Sequence, residues 1–159
     1  MKAMEGARIL VVDDEEGIRK SLKAILEEDG YIVDTAENGR LAISKAKAGY
    51  YNLALIDIRL PDMDGVELLK VLGETTPKMV RIIITGYPSL ENAIDAVNRG
   101  ADGYIVKPFT MGNLLHTIKE HLRRQQEAKK YSEEKVREYI ESRIKEQETK
   151  PSRRRARRT

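Results

Sequence analysis

Leu53-Ala54-Leu55-Ile56-Asp57 is an apolar run too short for a helix, and it leads directly into Ile58-Arg59-Leu60-Pro61-Asp62-Met63-Asp64-Gly65, a stretch rich in turn formers. Three other runs have the same form. Ile9-Leu10-Val11-Val12 ends on Asp13-Asp14, Val80-Arg81-Ile82-Ile83-Ile84 on Thr85-Gly86, and Tyr104-Ile105-Val106 on Lys107-Pro108. Stretches of helical period lie between them, which is the pattern of βα units around a parallel sheet buried on both faces. Strands are expected near 7–12, 31–35, 53–57, 80–85 and 103–107.

The intervening helices can be read from their apolar stripes and caps. The first, from about Glu16 to Asp29, aligns Ile18, Leu22, Ile25 and Leu26 and stops at Gly30. Asn38 caps a second that carries Leu41, Ala42 and Ala46 and ends at Gly49. A third follows Asp64-Gly65 with Val66, Leu69 and Leu72 and ends at Thr76-Pro77. Ser89 caps a fourth whose expected core face is thin, with only Ala93, Ala96 and Val97, which makes it a candidate movable element. A fifth begins after Thr110 with Leu114, Leu115, Ile118 and Leu122. Five such units make one doubly wound α/β domain, in which right-handed crossovers bring every strand's C-terminal end to one ligand-binding edge.

Size and composition are consistent with that reading. At 159 residues the chain suffices for one domain with an appendage, since a domain near this size buries roughly 70% of its unfolded surface. Cysteine is absent, so neither disulfides nor thiolate zinc sites can form, and a reducing, cytoplasmic setting is expected. No apolar stretch reaches the roughly 18 residues of a membrane span. The net charge of +3 is unevenly spread: residues 1–121 hold 15 Lys+Arg against 19 Asp+Glu, net −4, and residues 122–159 hold 14 against 7, net +7. An acidic globular part thus carries a basic tail.

Each residue at the expected edge has a plain reading and a chemical one. Asp13-Asp14 can simply cap the next helix, or can serve as hard oxygen ligands for magnesium. Asp57 has no such structural explanation, because a carboxylate ending a central buried strand is costly unless paired or metal-bound. It is the candidate nucleophile for an aspartyl phosphate. Thr85 is either a β-former bonded locally or a hydroxyl donor to a phosphoryl oxygen, with Gly86 leaving room for the group to enter. Lys107 is either an exposed lysine before a turn proline or the ammonium that pairs with carboxylate and then phosphoryl oxygens. The Lys107-Pro108 bond is a candidate for the cis form, which would aim the lysine inward.

Together, Asp13-Asp14, Asp57 with Pro61 and Asp64-Gly65, Thr85-Gly86, and Lys107-Pro108-Phe109 resemble, in type and spacing, the receiver domain of two-component response regulators across about residues 7–122. The stretches Asp57 to Gly65 and Thr85-Gly86-Tyr87-Pro88 are most similar to the NtrC-like subgroup. The resemblance implies a flavodoxin-like (βα)5 sheet of strand order 2-1-3-4-5, with residues 1–122 as receiver; the continuing helical pattern and the closing basic run are read as a helical extension over 123–150 and a basic disordered tail over 151–159. It implies that a histidine kinase or phosphotransfer protein donates a phosphoryl group to Asp57. Magnesium would be held by Asp14, Asp57 and the backbone carbonyl of Arg59, with Asp13 acting through a water. Thr85 and Tyr104 would form the switch, reporting phosphorylation to the surface around the fourth helix and fifth strand; the plain reading of Tyr104 is a half-buried tyrosine filling the sheet's outer face. Arg59, Gly86 and Tyr87 would flank the site. Such a protein is a phospho-acceptor with weak autocatalytic phosphorylation and dephosphorylation, not an enzyme turning over an outside substrate.

Other classes fit less well. An aspartyl-phosphate phosphatase of the haloacid dehalogenase kind wants a second aspartate two residues after the nucleophile, where this sequence has Arg59. Nucleotide hydrolysis lacks its glycine-rich loop before a lysine. The alternative is a nucleic-acid-binding regulator whose effector is the basic extension. Helical pattern continues through Arg123 to Ile144, with Val136, Tyr139, Ile140 and Ile144 as a short apolar face for dimerisation or docking, or else as part of a solvated helix with pairs such as Glu134–Arg137 and Glu141–Lys145. The end, Ser152-Arg153-Arg154-Arg155-Ala156-Arg157-Arg158, can attract nucleic acid without reading its sequence.

Overall fold

The structure, a computed structural model, describes residues 6–149. The apolar runs form β1 (Arg8–Val12), β2 (Ile32–Ala36), β3 (Leu53–Asp57), β4 (Val80–Thr85) and β5 (Gly103–Val106). All pair in parallel, in the order β2-β1-β3-β4-β5. Between them lie α1 (Glu16–Glu28), α2 (Gly39–Ala48), α3 (Gly65–Thr75) and α4 (Leu90–Asn98), and α5 (Met111–Glu148) follows β5. The doubly wound fold and its strand order are those expected. Every residue of β3 and β4 is buried, because helices cover both faces of these central strands and no solvent face remains to call for polar alternation.

The pleat sorts neighbouring strand residues into two cores. Leu10, Val12, Ile56 and Ile83 pack with Ala42 and Ala46 of α2 and with Val66, Leu69 and Leu72 of α3. Ile9, Val11, Leu55, Ile82 and Ile84 pack on the other face with Leu22 and Leu26 of α1 and with Leu114, Ile118 and Leu122 of α5. Ile82 and Ile83 are both fully buried, and each such side chain contributes roughly 2–3 kcal/mol. Four helix starts are capped by residues the sequence offers, whereas α1 begins after Glu15 with no side-chain cap, so the cap expected from Asp13-Asp14 is not made. Asn38, Asp64 and Ser89 accept from Leu41, Val66 and Asn92, and Thr110 accepts from Asn113.

Some local features differ from the sequence reading. The second strand starts at Ile32 because the Tyr31 N–H bonds the Leu26 carbonyl at 3.1 Å to close α1, with Gly30 at a φ of 95°. On α4 the core residue is Ala96, whereas Val97, expected in the core, is 63% exposed alongside Leu90 and Ile94. The helix rests on one small side chain, so its larger apolar residues face outward. Arg81, in mid-run on β4, is buried because its guanidinium bonds the carbonyls of Thr76 and Gly100, while its own N–H donates to Asp102 at 2.8 Å.

The chain divides into two units, Met1–Arg123 and Arg124–Thr159. In the second, the described residues through Glu148 continue α5. Val136, Tyr139, Ile140 and Ile144 are all more than half exposed. Ion pairs form at Lys135–Glu138 and Arg143–Glu146; the expected Glu134–Arg137 and Glu141–Lys145 are not among those of the described residues. Lys135 and Arg143 also lie over the rings of Tyr131 and Tyr139, which draws the cations along the helix in that register. The arginine-rich end lies outside the described residues. Among those described, no helix is long and apolar enough to cross a membrane.

One polar cluster ties β2, α2 and the entry to β3 together. The Tyr51 hydroxyl donates to Asp34 at 2.7 Å, and Lys45 bonds the other Asp34 oxygen at 2.9 Å. Burial and the bond to Asp34 push the Tyr51 hydroxyl up to about 12 from its ordinary 10. The native state therefore holds this proton more tightly than the unfolded chain, so the stabilisation is complete below pH 10 and disappears as pH rises through about 12. Chemical denaturation of the native chain and Tyr51→Phe should show the native chain more stable at neutral pH, with the difference closing over that alkaline window.

Candidate functional site

The parallel register brings the four strand ends to one edge. Val12 pairs with Ile56 across β1 and β3, Asp57 with Ile84 across β3 and β4, and Thr85 with Val106 across β4 and β5. Asp13 and Asp57 follow from that alignment as neighbours. Carboxylate oxygens of Asp13, Asp14 and Asp57 lie within 4.8 Å of one another. Lys107 reaches in from the turn after β5, its Nζ 3.4 Å from Asp13 and 4.0 Å from Asp57. The Lys107-Pro108 peptide is cis.

Hydrogen bonds orient these groups. Asp13 is buried; one oxygen accepts the Glu15 N–H at 2.9 Å in a local turn before α1, in place of the helix cap expected of it, and the other faces Lys107. Arg19 donates to the Asp13 carbonyl at 2.7 Å. Asp57 is 8% exposed and accepts the Arg59 N–H at 3.3 Å. Burial pushes its carboxyl above the usual range and the charge of Asp13 adds to this, with Asp14 acting in the same direction; the Arg59 N–H and Lys107 oppose them without cancelling. With three carboxylates facing one ammonium, the site carries an uncompensated negative charge. Clustered oxygen donors with that excess suit a hard divalent cation, which takes one or two carboxylates and relieves their repulsion.

The remaining expected residues surround this cluster. Thr85 is fully buried, and its hydroxyl accepts the Tyr87 N–H at 2.9 Å, so the hydroxyl hydrogen is not used by that bond. Gly86 is exposed, and a Cβ there would come within 3.9 Å of the Lys107 side chain. The Arg59 guanidinium stacks on the Tyr87 ring, 3.8 Å from its centroid, joining the loops after β3 and β4. Tyr104 packs on the core layer of α2 and α3, opposite to Ile105, and its hydroxyl is buried with no hydrogen-bond partner.

Two features were not evident from the sequence. Asp62, which reads as an ordinary turn residue, accepts the backbone N–H groups of Gly39 and Arg40 at 2.9 Å each. Gly65 matters for space: a Cβ there would collide with the Asp57 carbonyl and the Ile58 Cα. Its N–H bonds the Ile58 carbonyl at 2.8 Å, closing the loop that begins at Asp57. Proline followed by aspartate and aspartate followed by glycine are both common turn chemistry, so neither role has a distinctive local signal.

Comparison with known proteins is consistent with this geometry. The family model of the response regulator receiver domain matches residues 9–119. The transcriptional regulatory protein ResD of Bacillus subtilis is 38% identical over 117 residues, covering 74% of this chain and 48% of that protein. A CheY-like receiver domain protein from Methanospirillum hungatei superposes with a TM-score of 0.76 at 45% identity, covering 78% of this chain and 99% of the other. The response regulator TrrA of Thermotoga maritima, solved in complex with Mg2+ and BeF, gives 0.67 at 37% identity, covering 72% and 98%. The chain spans about half the length of the first curated relatives it matches.

Two outcomes follow from the packing and charge at this edge. Gly65→Ala should destabilise the fold by about 1–3 kcal/mol, the usual effect of forcing atoms into a filled space, seen as a lower denaturant midpoint. Because the folded state raises the Asp57 carboxyl, ionised Asp57 destabilises the cation-free protein at neutral pH, and this penalty vanishes once pH falls below the ordinary value of 3.8. In chelator, Asp57→Asn should melt higher than the native chain at pH 7, with the gap shrinking on acidification.

Proposed function

Because the chain belongs to the response regulator receiver family of two-component signalling, we propose that Asp57 is its phospho-acceptor and that a histidine kinase or phosphotransfer protein is the donor. The observation that carries this is the buried Asp57 carboxylate at a central strand end, with Lys107 4.0 Å away and two further carboxylates beside it. An Asp57 oxygen attacks the phosphorus of phosphohistidine, the P–N bond breaks, and the imidazole leaves with its ring nitrogen available to take a proton. The product is an acyl phosphate on Asp57.

The residues divide the work by charge and position. The Arg59 N–H orients Asp57 for attack, and Lys107, held by Asp13, is placed to move onto the phosphoryl oxygens as charge develops. Asp14, Asp57 and the Arg59 backbone carbonyl would hold magnesium, with Asp13 acting through a water; the Mg2+ in the TrrA complex supports this choice. When bound, the cation neutralises charge on the transferring group and on the acidic cluster.

Thr85 donates its hydroxyl hydrogen to the new phosphoryl group and shifts toward it. Tyr104 lies on the neighbouring strand with an unsatisfied hydroxyl, so its buried position is not strongly held. The lightly seated α4, with Leu90, Ile94 and Val97 outward, is the element these two bias. The Arg59–Tyr87 stack flanks the entrance and sets how readily water reaches the acyl phosphate. Weak self-phosphorylation by small phosphodonors and self-dephosphorylation belong to the same chemistry, and the setting is the cytoplasm.

Intact-mass measurement after incubation with a small phosphodonor tests the assignment. One phosphate adduct is expected on the native chain with magnesium, none on Asp57→Asn, and none on the native chain in chelator. An adduct of equal yield on Asp57→Asn would place the acceptor elsewhere.

A further inference from the structure

The loop from Ile58 to Gly65 is fastened at both ends. At its base, the Gly65 N–H bonds the Ile58 carbonyl at 2.8 Å, part of an isolated antiparallel backbone bridge that sets Arg59 opposite Asp64. At its tip, the Asp62 carboxylate accepts from Gly39 and Arg40, the first two residues of α2, at 2.9 Å each. The Asn38 side chain accepts from Leu41 at 2.8 Å, so the two side chains share three of the free N–H groups at that helix start. Met63, the next residue along, lies so close to Gly39 that a Cβ there would come within 2.5 Å of its Cγ and Sδ. Although Asp62 is exposed, the Gly39 N–H, with help from the Arg40 N–H, holds its carboxyl below the usual range.

Arg59 lies between these two fastenings. Its N–H orients Asp57, and its carbonyl is the backbone ligand in the magnesium reading above, on which this inference rests. We propose that Asp62 is a positioning residue for the cation site: by completing the N-terminal cap of α2 from outside, it holds the Ile58–Gly65 loop so that the Arg59 backbone serves Asp57 and the cation together. Release of the tip exposes two helix N–H groups and frees the loop to move against its base. Since coupling is reciprocal, cation binding must in turn protect the Gly39 and Arg40 amides.

Asn38→Ala provides the control, because it weakens the same helix start without touching the loop. Magnesium titrations of the full chain, followed by tyrosine fluorescence, should give about tenfold weaker binding for Asp62→Ala, the low end of the range for outer partners of metal ligands. Asp62→Asn, which keeps one acceptor oxygen, should fall between it and the native chain and serves in its place if the alanine variant does not fold. Asn38→Ala should bind magnesium as the native chain does. Amide exchange on the native chain should slow at Gly39 and Arg40 when magnesium is added. Unchanged affinity in the Asp62 variants, or an equal loss in Asn38→Ala, overturns the positioning role. Absence of any magnesium binding by the native chain overturns the cation reading itself and this inference with it.

Discussion

Negative charges gathered at the C-terminal edge of a parallel sheet constrain the rest of this molecule. Asp13, Asp14 and Asp57 bring their oxygens within 4.8 Å of one another while Lys107 supplies the nearby ammonium. Such a cluster is unfavourable by itself, and it persists because β1 and β3 end side by side and the two cores lock their register. A one-residue slip of β3 would turn Asp57 toward a face packed with apolar side chains. The hydrophobic cores thus supply the rigidity against which the charge excess is held. That excess is what makes the edge receptive to a cation and then to a phosphoryl group.

The elements that border this edge are held more lightly than the strands beneath it. The central strands are buried throughout, but α4 is seated by Ala96 alone among its residues, and its larger apolar side chains are exposed. The Tyr104 hydroxyl is buried without a partner on β5, the strand that leads into Lys107. A stiff chemical site bordered by weakly held elements can convert a local change of charge into a change of surface, because the weak elements need only a small bias. Arg81 limits how far that looseness spreads, since its bonds to Thr76 and Gly100 tie the ends of α3 and α4 to the start of β4.

Much of the site could be read from residue order because each of its strands announces itself twice, by an apolar run and by the reactive residue that ends it. Asp57 was the clearest case, since no turn or cap explains a carboxylate there, whereas Asp13 has a local role as well as a chemical one. The interaction between Arg59 and Tyr87 could not be read, because the two sit on different loops and meet only when β3 and β4 pair. Val97 lies on the apolar stripe that helical spacing predicts yet faces outward, because spacing gives the direction of a stripe but not how far the neighbouring sheet extends beneath it. Asp62 has the local pattern of a turn residue, and its partners at the start of α2 lie 22 and 23 residues away.

Residue order by itself determined the βα alternation, the helix caps and the identities of the groups at the binding edge, because periodicity, capping and strand termination are local consequences of side-chain shape and polarity. Tertiary structure alone decided the distances among those groups, the raised Asp57 carboxyl, the closed space at Gly65 and the fastening of the Ile58–Gly65 loop to α2. These depend on which atoms from distant segments share a volume and on how much water remains between them. Neither is encoded at any one position of the chain.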